Sequence, residues 1–230
     1  MLLVLSGSRL VHDFPDPPAL SIGNSGLGLQ FINGGQGTCP TSAFDTQDGF
    51  LFAAVGRGAI SDFATATVTD NNSNTLSMHG TSHAYTGTWP NSGTACFYKA
   101  NATGRSGCIV SDSKPDNNDE VTILAINVIG ATQIESASYV YDTSGPTNTG
   151  TNITVSAASV LVSVWAGDNE NGEANPAVSA GWTVQQHTTS TAGNHVQMAI
   201  ATREVSAGSH GIVWTPTTSQ GAQVYLFGLN

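Results

Sequence analysis

The sequence predicts an all-β fold, a two-sheet antiparallel β-sandwich of jelly-roll type behind an extended N-terminal arm. Three observations predict it. Short apolar or β-branched segments recur at spacings of about 8 to 15 residues. Clusters of Gly, Asn, Asp and Pro separate them. Val196, Met198 and Ile200 alternate with Gln197, Ala199 and Ala201, the period of a strand with one buried face. Roughly a dozen such strands on one core need two packed sheets, because each strand has an apolar face to cover. No repeat of fixed period is visible, which removes solenoids and propellers.

The arm is read as residues 1–47 and the sandwich as residues 48–230. Asp13-Phe14-Pro15-Asp16-Pro17-Pro18 is held extended by its prolines. Residues 23–37 interleave Gly23, Gly26, Gly28, Gly34 and Gly35 with Leu27, Leu29, Phe31 and Ile32, so one strand near 27–32 is the most this stretch contributes. Phe14, Leu27 and Phe31 are then apolar groups without a core of their own, expected to dock on a neighbouring subunit. The opening run Met1-Leu2-Leu3-Val4-Leu5 is broken at Ser6-Gly7-Ser8 and lacks a basic lead, so no secretion signal is read. No run approaches the ~18 apolar residues of a spanning helix, and no membrane partner is expected.

Strands are expected at 50–55, 64–69, 75–78, 94–99, 107–110 and 121–129, then at 138–141, 153–156, 160–166, 182–186, 195–203, 211–215 and 224–229. Residues 156–166 also fit helical spacing, but their β-branched content and the stop at Gly167 favour a strand. Asp70-Asn71-Asn72-Ser73-Asn74 is a hairpin loop, since Asx residues tolerate a left-handed backbone. The expected core is Phe52, Val55, Val68, Phe97, Ile109, Ile123, Ile126, Val162, Val164, Met198, Ile200, Trp214 and Leu226.

Charge narrows the function. Lys and Arg total 6 against 16 carboxylates, for a net charge of -10. The cations are scattered, whereas affinity for a phosphate backbone comes from several Lys and Arg neutralising phosphates together. Nucleic acid is therefore not an expected partner.

Few residues are arranged for chemistry. Gly23-Asn24-Ser25-Gly26 and Gly104-Arg105-Ser106-Gly107 each fall one residue short of the G-x-S-x-G elbow and read as turns. His79 and His83 are the only close histidine pair, with no third ligand nearby in sequence. Residues 167–173 form the densest acidic loop, but Gly172 is fifth from Asp168 and Ser179 stands where a calcium loop needs its bidentate acid. That loop reads as a solvated turn with calcium as the alternative, and Asp116-Asn117-Asn118-Asp119-Glu120 is read likewise. No cofactor is otherwise expected. Cys96 and Cys108 could face each other across a hairpin centred near Ala102, though buried free thiols are the preferred reading in a chain without an export signal. Tyr85 and Trp89, in Tyr85-Thr86-Gly87-Thr88-Trp89-Pro90, are candidate contacts for a sugar or a protein partner, because aromatic faces beside hydroxyls suit both. The alternative is that Trp89 plugs one end of the sandwich.

Four features carry a family resemblance: Phe50-Leu51-Phe52-Ala53-Ala54-Val55, the V-T-D-x-x-x-N-T hairpin from Val68 to Thr75, Phe97-Tyr98-Lys99-Ala100, and the closing apolar strand 224–229. On these, residues 48–229 resemble a β-sandwich module of bacteriophage structural proteins and bacterial surface proteins. The resemblance implies a non-enzymatic virion component, either capsid decoration or tail and fibre. Its partners would be its own subunits and a major capsid or tail protein. A carbohydrate-binding or adhesive module is the alternative. A hydrolase would require His79, His83, Asp168 and Glu170 to line one cleft.

Overall fold

A computed structural model describes residues 19–30, 37–113, 119–143, 145–168, 176–188 and 195–230. It is all-β, with a single 3-10 turn at Ile60–Ala64 among the described residues. Residues 21–129 carry β1 (Ser21–Gln30), β2 (Thr38–Pro40), β3 (Gly49–Arg57), β4 (Val68–Asp70), β5 (Thr75–Met78), β6 (His83–Ala84), β7 (Gly93–Ala102), β8 (Val110–Ser113) and β9 (Val121–Ile129). Residues 134–229 carry β10 (Ile134–Asp142), β11 (Asn148–Thr149), β12 (Ile153–Val155), β13 (Ser159–Gly167), β14 (Ala177–Val178), β15 (Thr183–His187), β16 (Gln197–Val205), β17 (Gly208–His210), β18 (Val213–Thr215) and β19 (Ala222–Leu229).

In the first half the strands pair in the order β1-β9-β3-β7-β5-β4-β8-β2, and β6 adds to β7. This path runs 1-8-3-6 and then 5-4-7-2 when β6 is set aside, the two-Greek-key order of a jelly roll. It nearly closes on itself, because the Ser42 amide just past β2 donates to the Leu27 carbonyl of β1 at 2.9 Å. In the second half β10-β19-β13-β16-β15 form one sheet and β11-β18-β14 face it, with β12 and β17 paired as an extra ribbon.

Three cores result where the sequence reading placed one. Phe50, Phe52, Leu124, Ile126 and Val128 of the first half meet Val160, Val162, Val164, Met198, Ile200 and Phe227 of the second in a central core. Leu51, Ala53, Val55, Phe97, Val110 and Ile123 fill the first half, and Leu161, Trp165, Ala199, Trp214 and Leu226 fill the second. The buried indoles are hydrogen-bonded, Trp165 Nε1 to Asn148 Oδ1 at 2.9 Å and Trp214 Nε1 to Ser163 Oγ at 3.1 Å. Strands β3 and β13 are thus buried on both faces, which is why they read as near-continuous apolar runs, that of β13 interrupted by Ser163. All the expected core residues are buried except Ile109, which is half-exposed.

Part of residues 1–47 belongs to the sheet. β1 pairs with β9 from Ser21↔Ile129 to Gln30↔Val121, and Leu27 packs half-buried against the central core of its own chain. The glycines that suggested a loop are there for close approach: a Cβ at Gly28 would collide with the Pro40 carbonyl oxygen, and one at Gly26 would sit 2.7 Å from that of Ser42. Phe14 and Phe31 lie outside the described residues.

Two local expectations shift. Residues 64–69 divide between the 3-10 turn and β4, and 107–110 give way to β8 at Val110–Ser113. Cys108 makes only an isolated bridge with Phe44. β8 pairs with β2 and β4, not with β7, so Cys96 and Cys108 are not opposed across a hairpin. Cys96 sits in the central core and Cys108 inside the first half, and neither is in a disulfide; Cys39 is buried too, its thiol donating to Val121 O at 3.7 Å. Burial raises the Cys108 thiol to about 11 and holds that of Cys96 well above the usual range. In the 70–74 loop, Asp70 Oδ1 accepts from the amides of Asn72 and Asn74 at 2.9 and 2.8 Å, and Ser73 takes the left-handed conformation at φ 63°.

Candidate functional site

Residues 85–92 connect β6 to β7 as a loop closed at its base. The Tyr85 amide donates to Ser92 O and the Ser92 amide to Trp89 O, each at 3.0 Å. The second half holds its tip. Asp168, just past β13 and 3% exposed, accepts from the amides of Thr88 and Trp89 at 2.7 and 2.9 Å and from the Tyr141 hydroxyl at 2.5 Å. A buried carboxylate must be compensated, and here backbone dipoles and a phenol do so in place of a cation. Gly87 is required under this clamp, since a Cβ there would strike Asp168 Oδ2 and lie 2.5 Å from the Tyr141 hydroxyl. The clamp presents Trp89 at 44% exposure, the one large apolar side chain exposed among the described residues.

Tyr85 and Trp89 therefore part company. Trp89 faces solvent and does not plug the sandwich. Tyr85 is buried at the base of the loop, and its hydroxyl has no protein hydrogen-bond partner. Burial first, and then the nearby Asp168 charge, hold its phenol well above the usual range. Burial, followed by the hydrogen bond to Asp168, likewise raises the Tyr141 phenol.

Behind the loop runs an aromatic seam joining the halves. The His83 ring stacks on Tyr139 at 3.7 Å, His79 meets Phe227 edge-on at 5.2 Å, and Tyr139 lies 4.8 Å from Tyr225. Thr94 hydrogen-bonds to Gln223 and, at 2.8 Å, to the Tyr225 hydroxyl, while Gln223 Nε2 donates to His83 O at 2.7 Å. Desolvation lowers the pKa of both histidines. The pair that the sequence offered as a chelator is engaged in ring packing, and no group of three His, Cys, Asp or Glu able to hold a metal occurs among the described residues.

Of the acidic loops, residues 169–175, including Glu170, and 114–118 lie outside the described residues. Both Asp168 oxygens already accept hydrogen bonds within the chain. Asp119 Oδ2 accepts from the Ala59 amide at 2.9 Å, and burial raises its carboxyl to about 6. The Asp168 clamp escaped the sequence reading because its partners are amides 79 and 80 residues away. Backbone donors leave no residue-type signature.

No protein-family model matches this chain, and no curated protein matches it.

Proposed function

We propose that this chain is a non-enzymatic structural protein of a virion, a capsid decoration or tail and fibre component, which docks on its partner through the Trp89 loop. The observation that carries the reading is the exposed indole on a loop held by a buried carboxylate from the other half of the chain. A rigid aromatic knob loses little entropy on binding, which is what an interface anchor needs. The jelly-roll topology supports the reading, because eight-stranded jelly rolls build many viral shells. The partners would be further copies of the chain and a major capsid or tail protein. Particles carrying Trp89→Ala are expected to assemble without the protein attached, as read by mass spectrometry of purified particles. Full incorporation of the variant would remove Trp89 from the interface.

The same observation favours a second reading. An exposed indole beside the exposed Thr86, Thr88 and Asn91 suits stacking on a pyranose, with hydroxyl and amide groups fixing its orientation. Binding to a glycan array, abolished by Trp89→Ala, would select this adhesive role over virion assembly.

A further inference from the structure

The two halves repeat one another strand for strand. Aligning β1-β9-β3-β7-β5 with β10-β19-β13-β16-β15 leaves the facing set β4-β8-β2 aligned with β14-β18-β11, and chain order is preserved throughout. Among the described residues, only β6 and the β12–β17 ribbon lack a counterpart. We infer that the chain is a fused pair of jelly-roll units packed about a local twofold axis, and that the apolar face of β1, β9, β3 and β7 is a self-sufficient interface whose partner is the second unit.

The sidedness of the cores supports a twofold over a simple tandem stack. A translational repeat buries the front of one unit against the back of the next, whereas a twofold buries equivalent faces against each other. The central core takes Phe50 and Phe52 from β3 and Val160 and Val162 from β13, its counterpart. It takes Leu124 and Ile126 from β9, and Tyr225 and Phe227 from the equivalent β19. The intervening residues Leu51 and Ala53, like Leu161 and Trp165, point into their own units.

The sheet edges cross as the same operation demands. First-unit β1 meets second-unit β15, where Gln186 Nε2 donates to Ser25 Oγ at 3.2 Å and to Ser25 O at 3.4 Å. On the opposite side second-unit β10 meets β6, which follows β5 along the same edge of β7, and there Tyr139 stacks on His83. One covalent tether, residues 130–133 between β9 and β10, joins the units, and the amides of Thr132 and Gln133 both donate to Asn230 O.

A site for a sequence-specific protease, inserted between Thr132 and Gln133 of the full chain, tests the inference. After cleavage the two fragments are expected to co-elute at the mass of the uncut chain with unchanged near-ultraviolet circular dichroism. Their melting temperature should become concentration-dependent, as for any dimer. Fragments that separate in native buffer, or lose that spectrum on cutting, would overturn the inference. If the inserted chain fails to fold before cleavage, two cysteine pairs in the uninterrupted chain decide instead: Ser25→Cys with Gln186→Cys, and His83→Cys with Tyr139→Cys. A flexible bis-maleimide, which spans contacts too wide for a direct disulfide, is expected to link both pairs, and linking of only one, or of neither, contradicts the twofold.

Discussion

The guanidinium of Arg57 and the carboxylate of Asp112 meet at 2.6 Å inside the first jelly-roll unit, both shut off from solvent. Arg57 Nη2 also donates to Ser113 O at 2.6 Å, and the cation lies 5.2 Å from the Phe63 ring centroid. Such a pair adds little net stability over an apolar replacement, but removal of Asp112 leaves the buried Arg57 with only the more distant Asp62 carboxylate, at 3.9 Å, as counter-charge.

Asp112→Asn is therefore expected to destabilise the protein by about 3–5 kcal/mol, read from the midpoint of urea unfolding. Replacing both partners, as Arg57→Met with Asp112→Leu, should recover most of that loss. A single variant as stable as the parent would show that water reaches the site.

The His83–Tyr139 stack makes the seam sensitive to acid. Burial lowers the folded pKa of His79 and His83 below the ordinary 6.5, so both are held neutral while the unfolded chain still takes up protons at 6.5. The unfolded state then binds more protons, and stability falls as the pH drops from 6.5 toward the folded values. Asp119 acts in the opposite sense: its folded value of about 6 lies above the ordinary 3.8, so its penalty is relieved as the pH falls through 6. Changing His83 alone separates the two. His83→Phe keeps a stacking ring without a titrating nitrogen, and its melting temperature should fall less than the parent's between pH 7 and pH 5. Equal falls would mean that His83 does not titrate across the transition.

What the sequence made legible follows from what each strand faces. β5 and β9 were expected at their observed bounds, because both are compact β-branched or apolar runs ended by turn residues. β8 was displaced toward Cys108-Ile109-Val110, since its own Val110-Ser111-Asp112-Ser113 reads as surface. Asp112 is buried by a charge partner 55 residues away. The division into two units was hidden for a different reason. Residues 130–133 have no linker composition, and Ala131 is itself packed into the central core. At the candidate site Trp89 was visible as an aromatic in a loop, but its anchor was not.

β1 also changes what truncation should do. Deleting residues 1–45 removes β1 and β2, exposes the β9 edge, strips cover from Ile123, and takes away Phe44 with its bridge to Cys108. The shortened chain is expected to aggregate or lose its near-ultraviolet signal, although the sequence alone suggests an arm outside the fold. Retention of a cooperative melt would show that the first unit closes without its outer strand. Gly28→Ala tests the same packing within the full chain: the added methyl meets the Pro40 backbone, which cannot swing away as a side chain can. A loss of roughly 1–3 kcal/mol is expected, in the range for overpacking.

The last prediction separates the Trp89 loop's presentation from its binding. Trp89→Ala removes a side chain that is 44% exposed and should shift the melting temperature little. Asp168→Asn keeps the shape of the clamp but turns one carboxylate oxygen into an amide donor, which then faces either the Trp89 amide, at Oδ1, or the Thr88 amide and the Tyr141 hydroxyl, at Oδ2. One donor is left unmatched in a buried site, a cost of about 1–3 kcal/mol. Hydrogen exchange at the Thr88 and Trp89 amides should accelerate in Asp168→Asn and stay unchanged in Trp89→Ala. If the loop acts as a preorganised anchor, Trp89→Ala abolishes partner binding outright, whereas Asp168→Asn weakens it by the cost of ordering the freed loop. Equal binding by the parent and Asp168→Asn, with exchange accelerated, would mean that rigidity of the loop contributes nothing and that the indole alone makes the contact.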